Sequence, residues 1–67
     1  MDVLAISDDA RVVPHLEAIG AIRLTQTSWQ LYFAGNLETL AHNIARTAPP
    51  GTEFFLAEVV GCATELS

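Results

Sequence analysis

Lysine is absent from this 67-residue sequence, and Arg11, Arg23 and Arg46 stand alone against eight carboxylates, giving a net charge of −5. Gripping bare nucleic acid requires Lys and Arg gathered in a patch, so a chain of this balance is ill suited to it. Anionic membrane surfaces repel it for the same reason. A basic protein surface would attract it and speed its encounter, although plain solubility also accounts for a charge of this size. The missing lysine removes Schiff-base chemistry as well.

Cysteine is almost missing too. Cys62 has no partner, which excludes the small secreted disulfide class and fits a reducing cytoplasm as the expected compartment. Cys62 itself is read as an inert thiol near the chain end. No apolar run approaches the ~20 residues needed to span a bilayer, and no basic segment at the start marks a secretory leader. The uncharged stretch Leu24 to Gly35 is interrupted by Thr25, Gln26, Thr27, Ser28 and Gln30. Catalytic signatures are lacking: there is no Gly-x-Ser-x-Gly, no phosphate loop ending in Gly-Lys, no glycine-rich dinucleotide turn, and no Ser, His and Asp spacing that reads as a triad. No enzyme activity and no cofactor are expected.

What is present is a foldable core. Hydrophobic residues make up 51% of the chain and charged ones 16%, far too apolar to stay disordered. Residues 1–67 form one domain, with an expected stability of roughly 3–5 kcal/mol. Val3-Leu4-Ala5-Ile6 reads as a buried strand. Asp8 and Asp9 then cap a helix carrying Val12, Leu16 and Ile19, with Gly20 as its C′ residue and Pro14 kinking or loosening its first turn.

The apolar phase changes in the following segment. Ile22 and Leu24 lie on one alternating set, whereas Trp29, Leu31 and Phe33 lie on the other, and one straight strand cannot place both in a core. The polar run Thr25 to Ser28 sits at the slip, so a tight hairpin is expected, with strands at 21–25 and 28–34; one long bulged strand is the alternative. Asn36 caps a second helix striped by Leu37, Leu40, Ala41, Ile44 and Ala48, which Pro49-Pro50-Gly51 ends. Thr52 to Val60 reads as the last strand, and a frayed tail follows from Gly61. The order predicts an α+β fold of ferredoxin-like βαββαβ type, with two helices on one face of an antiparallel sheet; the bulged alternative would give βαβαβ.

Gly20-Ala21-Ile22-Arg23-Leu24, then Thr27-Ser28-Trp29-Gln30-Leu31, the amphipathic helix, Pro50-Gly51, and Glu53 to Val59 resemble the small Cas2-like proteins, including those labelled SinR-type. The match covers most of the chain after Gly20 and implies architecture more than activity. Members of that family with nuclease activity close the first strand with an Asp after an aromatic. Asp8 or Asp9 could take that place, but Ser7 stands in the aromatic position and the basic surface is missing. In size, acidity and compact order the chain is also similar to phage and mobile-element anti-CRISPR proteins acting on type I systems. That resemblance implies an inhibitor in the host cytoplasm that substitutes carboxylates for phosphate on a basic, DNA-recognising subunit of the effector complex.

On this reading the contacts are Asp8, Asp9, Glu17, Glu53 and Glu58, gathered by the fold, with Asp2 brought near Glu58 because the last strand lies beside the first. Competing readings are weighed for each residue type. Asp8-Asp9 could hold Mg²⁺ in a Cas2-like metal-dependent nuclease, but helix capping is the favoured role. His15, Glu17 and His42 lack the ligand number and spacing that zinc needs, so no metal is expected. Trp29, Tyr32, Phe33, Phe54 and Phe55 could stack bases on an open sheet face, yet no basic residues surround them. Trp29 and Phe33 are expected in the core and Tyr32 as an exposed contact. The chain is expected to be a monomer or a weak homodimer paired through the sheet face or the last strand's edge.

Overall fold

The computed structural model describes residues 1–61; the expectations for Cys62 and for the rest of the tail lie outside them. Within this range the chain forms a four-stranded antiparallel sheet and two helices. Strand β1 is Asp2–Ile6. A single 3₁₀ turn, Ala10–Val12, leads into helix α1, Val13–Ala18. Strands β2 (Ile22–Thr25) and β3 (Ser28–Tyr32) form a hairpin, helix α2 spans Leu37–Thr47, and β4 is Phe55–Glu58. The strand order across the sheet is β2-β3-β1-β4. Each helix therefore links two strands separated by one strand between them.

Pro14 explains the first departure from the expected helix. With no N–H and a ring that clashes with a preceding turn, proline is tolerated only where a helix begins. The α-helix starts at Val13, so Pro14 falls in its first turn, and the preceding residues adopt a 3₁₀ turn instead of a kinked α-helical one. Val12 and Leu16 are fully buried, while Ile19 is exposed at the helix end. The stop is the expected one. Gly20 has φ +84°, its N–H donates to the Glu17 carbonyl, and the Ala21 N–H reaches back to the Leu16 carbonyl, the paired bonds of a Schellman ending.

The middle segment is the expected hairpin, turning at Gln26-Thr27, with a register irregularity between Arg23 and Thr25. Its two apolar sets do not share the core. Trp29 and Leu31 are buried, whereas Ile22, paired with Gln30, points to the opposite face. Arg23 is paired with Trp29, and its guanidinium stacks 4.9 Å from the indole centroid. Helix α2 begins as its sequence dictates: the Asn36 carboxamide oxygen accepts the Thr39 N–H at 2.8 Å. Leu40, Ile44 and Ala48 are buried, and Gly51, at φ +85°, turns the chain after the two prolines.

β4 is shorter than the expected 52–60. The backbone of Glu53 is bonded by side chains rather than by a neighbouring strand: its carbonyl accepts from the Ser7 hydroxyl, and its N–H donates to Asp9. Pairing with β1 then runs Ile6↔Phe55 to Val3↔Glu58, and the Val59 N–H donates to the Asp2 carbonyl at 2.8 Å; the backbones of Asp2 and Glu58 are neighbours as expected, but strand alternation puts their side chains on opposite faces. The core joins Val3 and Ala5 of β1 and Trp29 and Leu31 of β3 to Val12, Leu16, Leu40 and Ile44, so both helices lie on one face of the sheet.

Candidate binding surface

Side chains along a strand alternate between the two faces, and cross-strand partners share a face. Because Val3, Ala5, Trp29 and Leu31 meet the helices, the residues between them must point away. Leu4 and Ile6 of β1 therefore share the second face with their partners Gln30, Ala57 and Phe55, and Ile22 joins them through Gln30. No helix covers this face among the described residues. Ile22 is 68% exposed, Leu24 53%, Tyr32 72%, Phe55 61% and Ile6 39%. Four strands about 4.8 Å apart and about 16 Å long give a face of about 300 Å², in which Ser28, Gln30 and Asp2 are interspersed with the apolar side chains.

The middle of this face is a groove of ≈ 500 Å³, bounded by Leu4, Leu24, Gln30, Ala57 and Val60, with Glu58 at its rim. Toward the Ile6 end lies a shallower depression of ≈ 460 Å³, where Ile6 and Phe55 meet Asp8 and Glu53. Carboxylates border the open face at both ends, Asp8 and Glu53 at one and Asp2, the partner of Tyr32, at the other, whereas Glu58, paired with Val3, belongs by register to the helix-covered face. Two of the three arginines adjoin the Asp8 end: Arg11 is paired with Asp9 and faces Glu53, and Arg23 shares a depression with Asp8 and Asp9. Arg11 is tied to Asp9 and to the Gly51 carbonyl, Arg23 lies over Trp29 on the helix side, and Arg46 is in the last turn of α2.

Of the five carboxylates expected to form a contact, the fold brings Asp8, Asp9 and Glu53 together. Glu17 is exposed on the last turn of α1, and Glu58 is at the far end of β4 from Glu53. Asp9 is mainly a structural tie. Its carboxylate accepts the Arg11 backbone N–H at 3.0 Å, forms a two-pronged pair with the Arg11 guanidinium at 2.9 and 2.7 Å, and accepts the Glu53 N–H at 3.3 Å. The Arg11 side-chain bonds, followed by its backbone bond, hold the Asp9 carboxyl well below the usual carboxylate range, and Arg11 is pushed up in return. With its oxygens engaged in this way, Asp9 does not fit a metal ligand. Among the described residues no three His, Cys, Asp or Glu side chains converge to hold an ion. Nor is any helix among them long and apolar enough to cross a membrane.

No family model, curated protein or solved structure matches the chain.

Tyr32 is exposed and Trp29 buried, as alternation in β3 requires. The sequence reading missed Ile6, Ile22, Leu24 and Phe55 as members of one surface. Two helices cover only one side of a four-stranded sheet, so every second strand residue had to face outward. The phase change between Ile22/Leu24 and Trp29/Leu31 was the visible sign of this.

Proposed function

We propose that this chain is a non-enzymatic protein-binding module of ferredoxin-like βαββαβ arrangement that docks through its uncovered sheet face. One observation carries the reading: Ile22, Leu24, Tyr32 and Phe55 stay exposed on the sheet face opposite the core. Apolar surface buried there on docking would contribute roughly 25 cal/mol per Å² before association costs. The β2-β3-β1-β4 order supports the ferredoxin-like arrangement, because each helix joins strands that run the same way with an antiparallel strand between them. A photo-crosslinking residue at Tyr32 should trap a discrete protein adduct in cells, and the same residue at His42 on α2 should trap none. Equal trapping at both positions refutes the face as the docking surface.

A second, narrower reading is favoured by the meeting of Asp8, Asp9 and Glu53: an anti-CRISPR-like inhibitor whose acidic end occupies a basic, DNA-recognising subunit of a type I effector complex. Reversing Asp8 and Glu53 to arginine should then abolish inhibition of target-DNA binding by such a complex. Undiminished inhibition by that variant removes those residues from the mechanism.

A further inference from the structure

We infer that the free edge of β4 pairs antiparallel with β4 of a second copy of this chain. In an antiparallel ladder, successive residues turn their N–H and C=O groups to opposite sides. Met1 and Phe33 exchange both bonds, and the Ser7 N–H donates to the Thr27 carbonyl, so the odd-numbered residues of β1 bond to β3. The even-numbered ones bond to β4, as the Val59 N–H on the Asp2 carbonyl shows. Ala57 and Phe55, the partners of Leu4 and Ile6, therefore turn their backbone groups inward. The N–H and C=O groups of Leu56 and Glu58 are left pointing out of the sheet, and an extended backbone is the complement of such a row.

The opposite edge of the sheet, β2, is blunted. Its register breaks between Arg23 and Thr25, and the Arg23 guanidinium donates to the Thr25 and Gln26 carbonyls at 3.1 and 2.7 Å. A bulge and a cation are two of the devices that keep an edge from pairing. β4 has neither: its register with β1 is unbroken, and no proline or cation lies between Thr52 and Gly61. Its own sequence supplies a compatible partner. A two-fold axis through Leu56 or through Ala57 pairs outward groups with outward groups. Glu58 then meets Phe54 or Leu56 of the other copy, and Glu53 meets Val59 or Gly61, so no carboxylate faces another across the new ladder. The pairing stands without the docking reading, and where that reading holds it supplies area that one copy lacks. A single open face of about 300 Å² falls well short of the about 800 Å² per partner of a standard interface. Joined at β4, two copies set their open faces side by side on one eight-stranded sheet of about 600 Å², with Phe55 and Ala57 at its centre.

The test is sedimentation equilibrium of the whole chain from about 20 µM to about 1 mM, with amide exchange measured at both concentrations. A four-residue edge makes a small contact, so the mass should climb toward a dimer only at the upper end. It should climb further in about 0.5 M salt, which screens the −5 carried by each copy. Exchange at Leu56 and Glu58 should slow at least about twofold as the dimer forms, while Ala57 and Val59 are slow throughout; this readout needs no variant. Glu58→Pro removes one outward donor and no inward one, and should weaken association at least about tenfold. Ile22→Thr, on the open face, should leave association unchanged. A monomer mass at about 1 mM in high salt would overturn the pairing and leave the docking reading standing. Dimer loss with Ile22→Thr but not with Glu58→Pro would overturn it by moving the contact to the sheet face. Protection of Leu56 and Glu58 at monomer mass would overturn it by placing a different extended segment on the edge. A β4 dimer that traps no partner through Tyr32 would sink the docking reading and keep the pairing.

Discussion

If the open face is surplus to folding, stripping it of apolar groups should cost little. Ile22→Thr and Phe55→Thr keep strand propensity while removing hydrophobic surface. Ile22 is 68% exposed and Phe55 61%, so only about a third of the roughly 3 kcal/mol that full burial is worth can be lost at each, about 1 kcal/mol. The two sites lie on the outer strands β2 and β4, three strand spacings or about 14 Å apart, so their effects should add to no more than about 2 kcal/mol. Leu16→Ala, at a fully buried position, should alone cost about 2–5 kcal/mol, comparable with the whole stability of a domain this small. Urea titration of the two single variants, the double variant and Leu16→Ala, with wild type measured at two protein concentrations tenfold apart, checks the contrast. A double variant as damaged as Leu16→Ala would refute the assignment of this face as surplus. A wild-type midpoint that rises with concentration, by about 1.4 kcal/mol per tenfold for a dimer, would show that the chain is already paired with another copy at these concentrations.

The Asp9 tie should show in the acid limb of stability. Its folded carboxyl lies below the free value of 3.8, so its contribution is complete above about pH 4 and is lost as pH falls from there toward the lower folded value. The stability gap between wild type and Asp9→Asn, measured by urea midpoints, should therefore be widest near neutral pH and shrink progressively as pH falls below about 4; a gap constant across that range would refute the Arg11 pairing. Gly20→Ala places a side chain at φ +84° with nothing within 4 Å of the added carbon, so only backbone strain is introduced. It should cost about 1–2 kcal/mol, or a fall of about 4–8 °C in Tm per kcal/mol, and an unchanged Tm would refute the left-handed ending of α1.

Features determined by near neighbours were legible in the sequence. Asn36 before an apolar stripe, Gly20 after one, and Pro49-Pro50-Gly51 between a helix and a strand each act through bonds or dihedrals within a few residues. The polar slip at Thr25 to Ser28 was likewise enough to place the hairpin. What escaped depended on distant partners. β4 starts late because Ser7 and Asp9, more than forty positions away, engage the Glu53 backbone, and no local pattern announces that. Pro14 was recognised as an obstacle to the helix, but its outcome, a later start, depends on how the 3₁₀ turn seats Val12 in the core.

The candidate site was half legible for a related reason. Strand alternation labels two faces without saying which one the helices take, and Ile22/Leu24 had as good an apolar claim as Trp29/Leu31. The buried indole decides it. Trp29 offers far more surface to hide than Ile22 or Leu24, and Val3 and Ala5 lie on its side of β1, so the helices are drawn to that face. Arg23, caught there by its neighbours' phase, remains on the helix side by stacking its guanidinium on the same ring.

That choice leaves Ile22, Leu24, Tyr32 and Phe55 in water, a hazard for a domain with two unpaired edge strands. The carboxylates provide the counterweight. Asp2, Asp8 and Glu53 border this face, so on the proposed docking reading two copies approaching face to face would bring carboxylates together, with Arg11 beside Asp9 offsetting part of that repulsion. On the same reading, the excess of acids over arginines, with no lysine, would set this face against its own copy and toward a partner of opposite charge.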